Sequence, residues 1–224
     1  GPSLAVRYDS GAGNGPFGFG WSLPAPSIAR KTDKALPRYR DDEDSDTFVL
    51  SGAEDLVPYL DAASDWTPVV YDDVTTATRR HRYRPRVEGD FARIERVVGY
   101  SGGQKTVHWE VTTKDNVTHI YGQTPSARIA DPADPTRIFR WLLEETRDDR
   151  GQIIRYEYKP EDLTGVPTAQ HEQHRKRGQI ALAGAHLKRI LYGNKPSPPT
   201  TPPTTPDDFH FEVVFDYGEH DPPA

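Results

Sequence analysis

The chain has 224 residues, a net charge of -6 with both signs interspersed, 34% hydrophobic residues, 18 glycines and 21 prolines. That length supports one large β domain or two small ones with a real core. The weight of glycine and proline favours a loop-rich β protein over a helical one, and the acidic balance argues against nucleic acid as a partner. There is no cysteine, no methionine, no apolar run of membrane-spanning length and no signal-peptide pattern. These absences exclude disulfides, thiolate chemistry and cysteine zinc sites, give no basis for direct membrane insertion, and mark residue 1 as something other than an initiator, as expected of a piece of a longer polypeptide.

The first informative stretch runs from Tyr8 to Trp21 and holds Asp9, Gly11, Gly13, Asn14, Gly15, Pro16, Gly18 and Gly20 beside Phe17, Phe19 and Trp21. Asn-Gly is a favoured tight-turn pair, and glycine supplies positive φ or close backbone approach. If residues 17–21 are extended, Phe17, Phe19 and Trp21 share one face and the other face is nearly bare backbone, against which another strand or loop lies flush. Gly13-x-Gly15-x-x-Gly18 matches the letters of a dinucleotide fingerprint. The Phe19-to-Pro26 segment cannot open the helix that fingerprint needs, and no Walker-type Gly-Lys-Ser/Thr occurs, so the turn reads as structural.

Asp41, Asp42, Glu43, Asp44 and Asp46 form an acidic run. Its alternate aspartates have the spacing of a calcium loop, but Thr47 and Ala53 stand where that loop needs Gly and Glu, and the run reads as a solvated turn. Strand-like segments follow at 46–50, 92–98, 105–112, 117–121, 139–146, 152–158, 187–192 and 209–217. Residues 105–121 read as a hairpin closed by Lys114-Asp115-Asn116. Residues 139–158 read as a second hairpin, in which Gly151 takes the left-handed turn position and Ile154, Tyr156 and Tyr158 share a face. At most a short helix is expected, near 176–185. The Pro/Thr tract at 195–208 is read as a surface insertion between neighbouring strands, with residues 1–224 a single all-β segment of meandering antiparallel strands and hairpins.

Candidate chemistry is thin. His171-Glu172-Gln173-His174 is one residue short of the helical H-E-x-x-H zinc motif and is flanked by Arg175, Lys176 and Arg177, which repel a cation. Asn116-Val117-Thr118 is a chance-frequency sequon. Aromatic-faced strands suit core packing better than sugar binding, and no serine lies in G-x-S-x-G. No catalytic, cofactor-binding or metal residue is assigned, and no cofactor is expected.

Tyr8-Asp9-Ser10-Gly11 through Gly20-Trp21-Ser22-Leu23, then Ile28 to Tyr39 and Asp46 to Val57, resemble the N-terminal region of the SpvB family, which includes the B components of bacterial insecticidal Tc (ABC) toxin complexes. Tyr192-Gly193-Asn194 and Phe211 to Asp221 are similar to it as well. Asp148-x-x-Gly151-Gln152-x-Ile154-x-Tyr156-x-Tyr158 resembles an RHS/YD repeat, with Gln152 where Asn is usual. The resemblance implies a secreted, non-catalytic segment of an RHS-type β shell, the cocoon that encloses a toxic effector. It also implies as partners the rest of its own polypeptide, a C component carrying the effector and an A component. A second reading makes it a delivery or attachment module upstream of an enzyme such as an ADP-ribosyltransferase, whose Glu-x-Glu motif has no counterpart here.

Overall fold

A computed structural model describes residues 4–15, 17–23, 25–51, 54–87, 92–162, 182–195 and 205–217, together with residues 2, 89, 170 and 203. Four short strands, β1 (Arg7–Tyr8), β2 (Asn14–Gly15), β3 (Gly18–Phe19) and β4 (Trp21–Ser22), form an N-terminal arm. Next come β5 (Ser27–Arg30), β6 (Phe48–Leu50), β7 (Glu54–Pro58), β8 (Leu60–Asp61), β9 (Thr67–Pro68), β10 (Val70–Asp73), β11 (Thr78–Pro85), β12 (Arg93–Ser101) and β13 (Gln104–Thr112). The chain continues through β14 (Thr118–Tyr121), β15 (Arg128–Asp131), β16 (Asp134–Arg147), β17 (Ile153–Pro160), β18 (Ala185–Asn194) and β19 (Phe209–Val214). Among the described residues the only helical turns are single 3-10 turns. The expected short helix near 176–185 falls largely outside the described residues, and Leu182, Ala183 and Gly184 are irregular.

The antiparallel meander closes on itself. Hydrogen-bonded neighbours run β5-β6-β7-β11-β12-β13-β14-β16, and β16 pairs with β5 again, so eight strands form a ring. Closure removes the exposed edges that an open sheet would present. Each strand of the ring sends at least one residue into a single buried cluster: Ile28, Phe48, Leu56, Tyr83, Ile94, Trp109, Tyr121 and Trp141 among them. Trp109 and Trp141 are fully buried, and their rings meet Phe48 edge-on at centroid separations of 4.9 and 5.8 Å. The Trp141 indole donates to the Val107 carbonyl at 2.9 Å, so its polar edge is satisfied inside the barrel.

One end of the barrel is plugged by charge. Arg30 and Arg96 follow Ile28 and Ile94 by two residues and share their inward face. Arg30 Nη1 donates to Asp41 Oδ1 and Asp46 Oδ2, both at 2.7 Å, and its Nε donates to the Ile138 carbonyl at 2.7 Å. Arg96 Nη2 donates to the Asp41 carbonyl at 3.4 Å. The backbone N–H groups of Arg38 and Tyr39 donate to Asp46 as well. Burial works to raise the Asp46 carboxyl, but those N–H groups and Arg30 outweigh it and hold it below the usual carboxylate range. This corrects the solvated-turn reading of the acidic run: Asp41 and Asp46 turn inward because two buried guanidinium groups need partners.

Outside the ring, β17, β18 and β19 extend from β16 as an open sheet. β16 holds β5 along residues 140–142 and β17 along 145–147, so the sheet branches there. The expected hairpin of 139–158 therefore pairs across only Glu145–Arg147 with Ile153–Arg155, because β5 occupies the earlier part of the same edge. β18 and β19 are direct neighbours, with Ile190 opposite Val213, on either side of the Pro/Thr tract.

Candidate functional site

The residues singled out by sequence fall into two groups, the arm and the turn of β16–β17. In the arm, Asp9 accepts at Oδ1 from the Gly11 N–H at 2.8 Å, and its own N–H donates to the Gly20 carbonyl at 2.8 Å. Gly20 N–H donates to the Gly13 carbonyl at 2.6 Å. Tyr8 pairs with Trp21 in one two-stranded ladder, and Asn14 with Phe19 and Gly15 with Gly18 in another. Gly13, Gly18 and Gly20 all have positive φ. Two of these interrupt residues 17–21, so the expected single strand with Phe17, Phe19 and Trp21 on one face does not form. At Gly20 a Cβ would stand 2.6 Å from the Tyr8 ring and 3.0 Å from the Asp9 carbonyl, whereas at Gly18 it would meet nothing within 4 Å. The close approach expected for this backbone thus occurs at Gly20, from within the arm.

The aromatic residues separate. Phe17 packs on Phe215 and Tyr217, just beyond β19, at ring-centroid distances of 6.0 and 6.2 Å. Tyr8, Phe19 and Trp21 remain 57%, 63% and 45% exposed, with Tyr8 and Trp21 rings 5.2 Å apart. Leu4 and Val6 extend the same exposed apolar run. Sequence reasoning assigned Phe19 and Trp21 to a covered face and did not pick out Leu4 or Val6. Their clustering with so many glycines was the available signal.

In the second group, Gly151 takes φ 81° in a turn organised by Asp148, whose Oδ1 accepts from the Arg150 and Gln152 N–H groups at 3.0 and 2.8 Å. Asn194, on β18, braces the same turn by accepting from Ile153 N–H at 2.9 Å and donating to the Gly151 carbonyl at 3.1 Å. Tyr156 packs against the barrel core, and Tyr158 donates its hydroxyl to the Leu143 carbonyl at 2.6 Å. Burial raises both phenols above their ordinary value. Tyr156 also lines an apolar cavity of about 730 Å³ at the barrel end opposite the Arg30 plug, together with Leu4, Leu23, Leu50, Ile94 and Leu187. The cavity is where the two groups approach each other: Leu4 and Leu23, flanking the arm, line it together with Tyr156 of β17 and Leu187 of β18.

Both groups of residues brace turns and pack side chains. Among the described residues, no group of three His, Asp or Glu could hold a metal ion. The titratable cluster on the barrel's outer side is built from ion pairs: Arg80 meets Glu95 at 3.1 Å and Glu110 at 2.7 Å, and Tyr71 donates to Glu95. Burial would raise Glu110, but His108 and Arg80 bring it down to about 2. His171, Glu172 and His174 lie outside the described residues.

The family model described as Salmonella virulence plasmid 65kDa B protein matches residues 1–224. The chain belongs to the SpvB family. It is 37% identical over 97% of its length to the mono(ADP-ribosyl)transferase SpvB of Salmonella typhimurium and to that of Salmonella dublin. It spans 37% of the length of each of those relatives. Among solved structures, the N-terminal domain of effector protein SpvB from Salmonella typhimurium strain LT2 matches with a TM-score of 0.79 at 35% identity, covering 100% of this chain and 71% of that one. The TcdB2-TccC3-Cdc42 crystal structure matches at a TM-score of 0.82 and 32% identity over 99% of this chain and 10% of that one. The Photorhabdus luminescens Tc holotoxin pore matches at 0.81 and 32% over 97% and 10%. The SpvB-family β segment is thus shared by a Salmonella effector and by Tc toxin complexes.

Proposed function

We propose that the chain is a non-catalytic wall segment of a secreted bacterial toxin assembly, contributing to a hollow RHS-type shell that encloses an effector and helps deliver it. The observation that carries this reading is the branch at β16. A sealed barrel anchors an open sheet, β17–β18–β19, whose last strand has no outer partner among the described residues and leaves Phe211 59% exposed. An unpaired edge of this kind invites continuation by further strands. The partners are then the rest of the polypeptide, a C component carrying the effector and an A component. Residues 1–224 act as one segment in which the tract 195–208, of which residues 196–202 and 204 lie outside the described residues, is inserted between the paired strands β18 and β19, and Asp9, Gly20, Gly151 and Tyr158 hold turns and strands in place.

The relatives called mono(ADP-ribosyl)transferase SpvB support a second reading, a delivery or attachment module fused upstream of an effector enzyme. One experiment separates the two. In the full-length natural protein, charged substitutions on β19, the strand at the open edge (His210→Glu with Val214→Lys), are combined with protease challenge of the downstream effector. Enclosure predicts that the effector becomes protease-sensitive. A delivery module predicts unchanged effector protection and activity with loss of cell entry.

A further inference from the structure

The apolar cavity of about 730 Å³ between the barrel and β17–β18 is used by neither reading of the function. Its size falls in the range of small-molecule sites, and cavities walled by Leu, Ile and Val take up apolar molecules in preference to water. Leu50, Ile94, Val111, Leu143, Ile154 and Leu187 supply such walls. They come from β6, β12, β13, β16, β17 and β18, so this part of the cavity is shaped by paired backbone. One wall is different. His119 and Tyr121 line the cavity two residues apart on β14 and share a face, with Thr146 and Leu143 opposite them on β16. Thr146 Oγ1 lies 2.9 Å from His119 Nδ1, which fixes the imidazole and leaves Nε2 without a partner among the described residues. The Tyr121 hydroxyl has none among them either, although the residue is only 4% exposed. Buried polar groups are rarely left unsatisfied, and two on the wall of one cavity point to a ligand that bonds both. Charge narrows its class. Among the described residues no lysine or arginine lines the cavity, while Glu54 does. Burial lowers the His119 imidazole below its ordinary value, so it is neutral at pH 7. An anionic head group would find a carboxylate and no cation, and burying an unpaired charge of either sign is costly. A hydroxyl can both donate to and accept from an imidazole and a phenol.

We propose that this cavity is a binding site for an uncharged amphiphile, an aliphatic chain ending in a hydroxyl. The chain lies against the leucine and isoleucine walls, and the hydroxyl bonds His119 Nε2 and the Tyr121 phenol. The site is compatible with the wall reading and the delivery reading alike, so it stands or falls apart from both.

Equilibrium dialysis of the full-length natural protein against dodecan-1-ol, dodecanoate and dodecylammonium, each kept below the concentration at which it self-associates, tests the site. The alcohol should be retained, and the two ions about tenfold less or weaker still. Tyr121→Phe should weaken retention of the alcohol about 3- to 10-fold, the worth of one hydrogen bond. Ile154→Trp, which fills part of the cavity, should abolish it. Thermal unfolding checks that each variant folds, and if Ile154→Trp does not, Tyr121→Phe decides alone. No retention of the alcohol by the native protein overturns the proposal and leaves the cavity to polypeptide from elsewhere in the full-length protein. Equal retention of either ion overturns the uncharged head group. Undiminished retention in a folded variant places the alcohol elsewhere and overturns the site.

Discussion

Gly122 lies directly beneath Trp141: a Cβ on Gly122 would stand 2.5 Å from Cδ1 of the indole and 3.0 Å from its Cβ. Gly122 directly follows β14, Trp141 lies in β16, and these are strands whose pairing closes the ring. Its φ of 64° is a second reason for glycine. Gly122→Ala should therefore combine left-handed strain with overpacking, a loss of about 2–4 kcal/mol in urea unfolding. Gly151→Ala, also at positive φ but with open space around it, should lose only about 1 kcal/mol. Equal losses would remove the special role of the Gly122–Trp141 contact.

A similar contrast holds in the arm. Gly18→Ala meets only conformational strain, about 1 kcal/mol, whereas Gly20→Ala must also displace the Tyr8 ring. Near-ultraviolet circular dichroism should report loss of the Tyr8–Trp21 arrangement for Gly20→Ala alone, with the Trp109 and Trp141 signals of the barrel unchanged.

Asp46→Ala removes one of the two carboxylates that balance Arg30, whose side chain is 1% exposed. Uncompensated buried charge of this kind costs about 3–5 kcal/mol. The double variant Asp46→Ala/Arg30→Met should recover part of that loss. Thermal unfolding of both variants checks the coupling, and strictly additive losses would mean that Asp46 acts only through its backbone hydrogen bonds.

Burial, helped by Arg96 and Arg79, lowers the His81 imidazole from 6.5 to about 4, against the opposing pull of Asp44. The unfolded chain thus takes up a proton that the folded chain refuses between those values. The stability contributed by neutral His81 is complete above pH 6.5 and is lost as pH falls toward 4. Between neutral pH and about pH 4.5 the native protein should lose on the order of 1–3 kcal/mol more than His81→Asn. Glu110, lowered to about 2 from 4.5, adds its own loss only below pH 4.5, so the two windows are separable.

The two hairpins were legible in the sequence because their information is local. Alternation in 105–112, Asn116 at φ 57° and Gly151 at φ 81° each specify a turn within a few residues. Ring closure was not legible, since β5 and β16 are distant in sequence and nothing in either predicts the other. β11 escaped notice for a different reason. Thr78-Arg79-Arg80-His81-Arg82-Tyr83-Arg84-Pro85 reads as solvated chain until Glu95 and Glu110 arrive from β12 and β13 to neutralise Arg80. In the arm, alternation misled, because Gly18 and Gly20 reverse the backbone between the aromatic residues.

The branch at β16 also orders events in time. The pairing that completes the barrel joins β5 to β16 across most of the intervening chain, which makes it the slow, entropically costly step. β17, β18 and β19 then add in the order in which the ribosome makes them, each against the strand just before it. Sheet growth beyond residue 147 is thus vectorial and cheap once the barrel has sealed. A defect at the β5–β16 seam would stall everything downstream at birth rather than weaken the finished sheet.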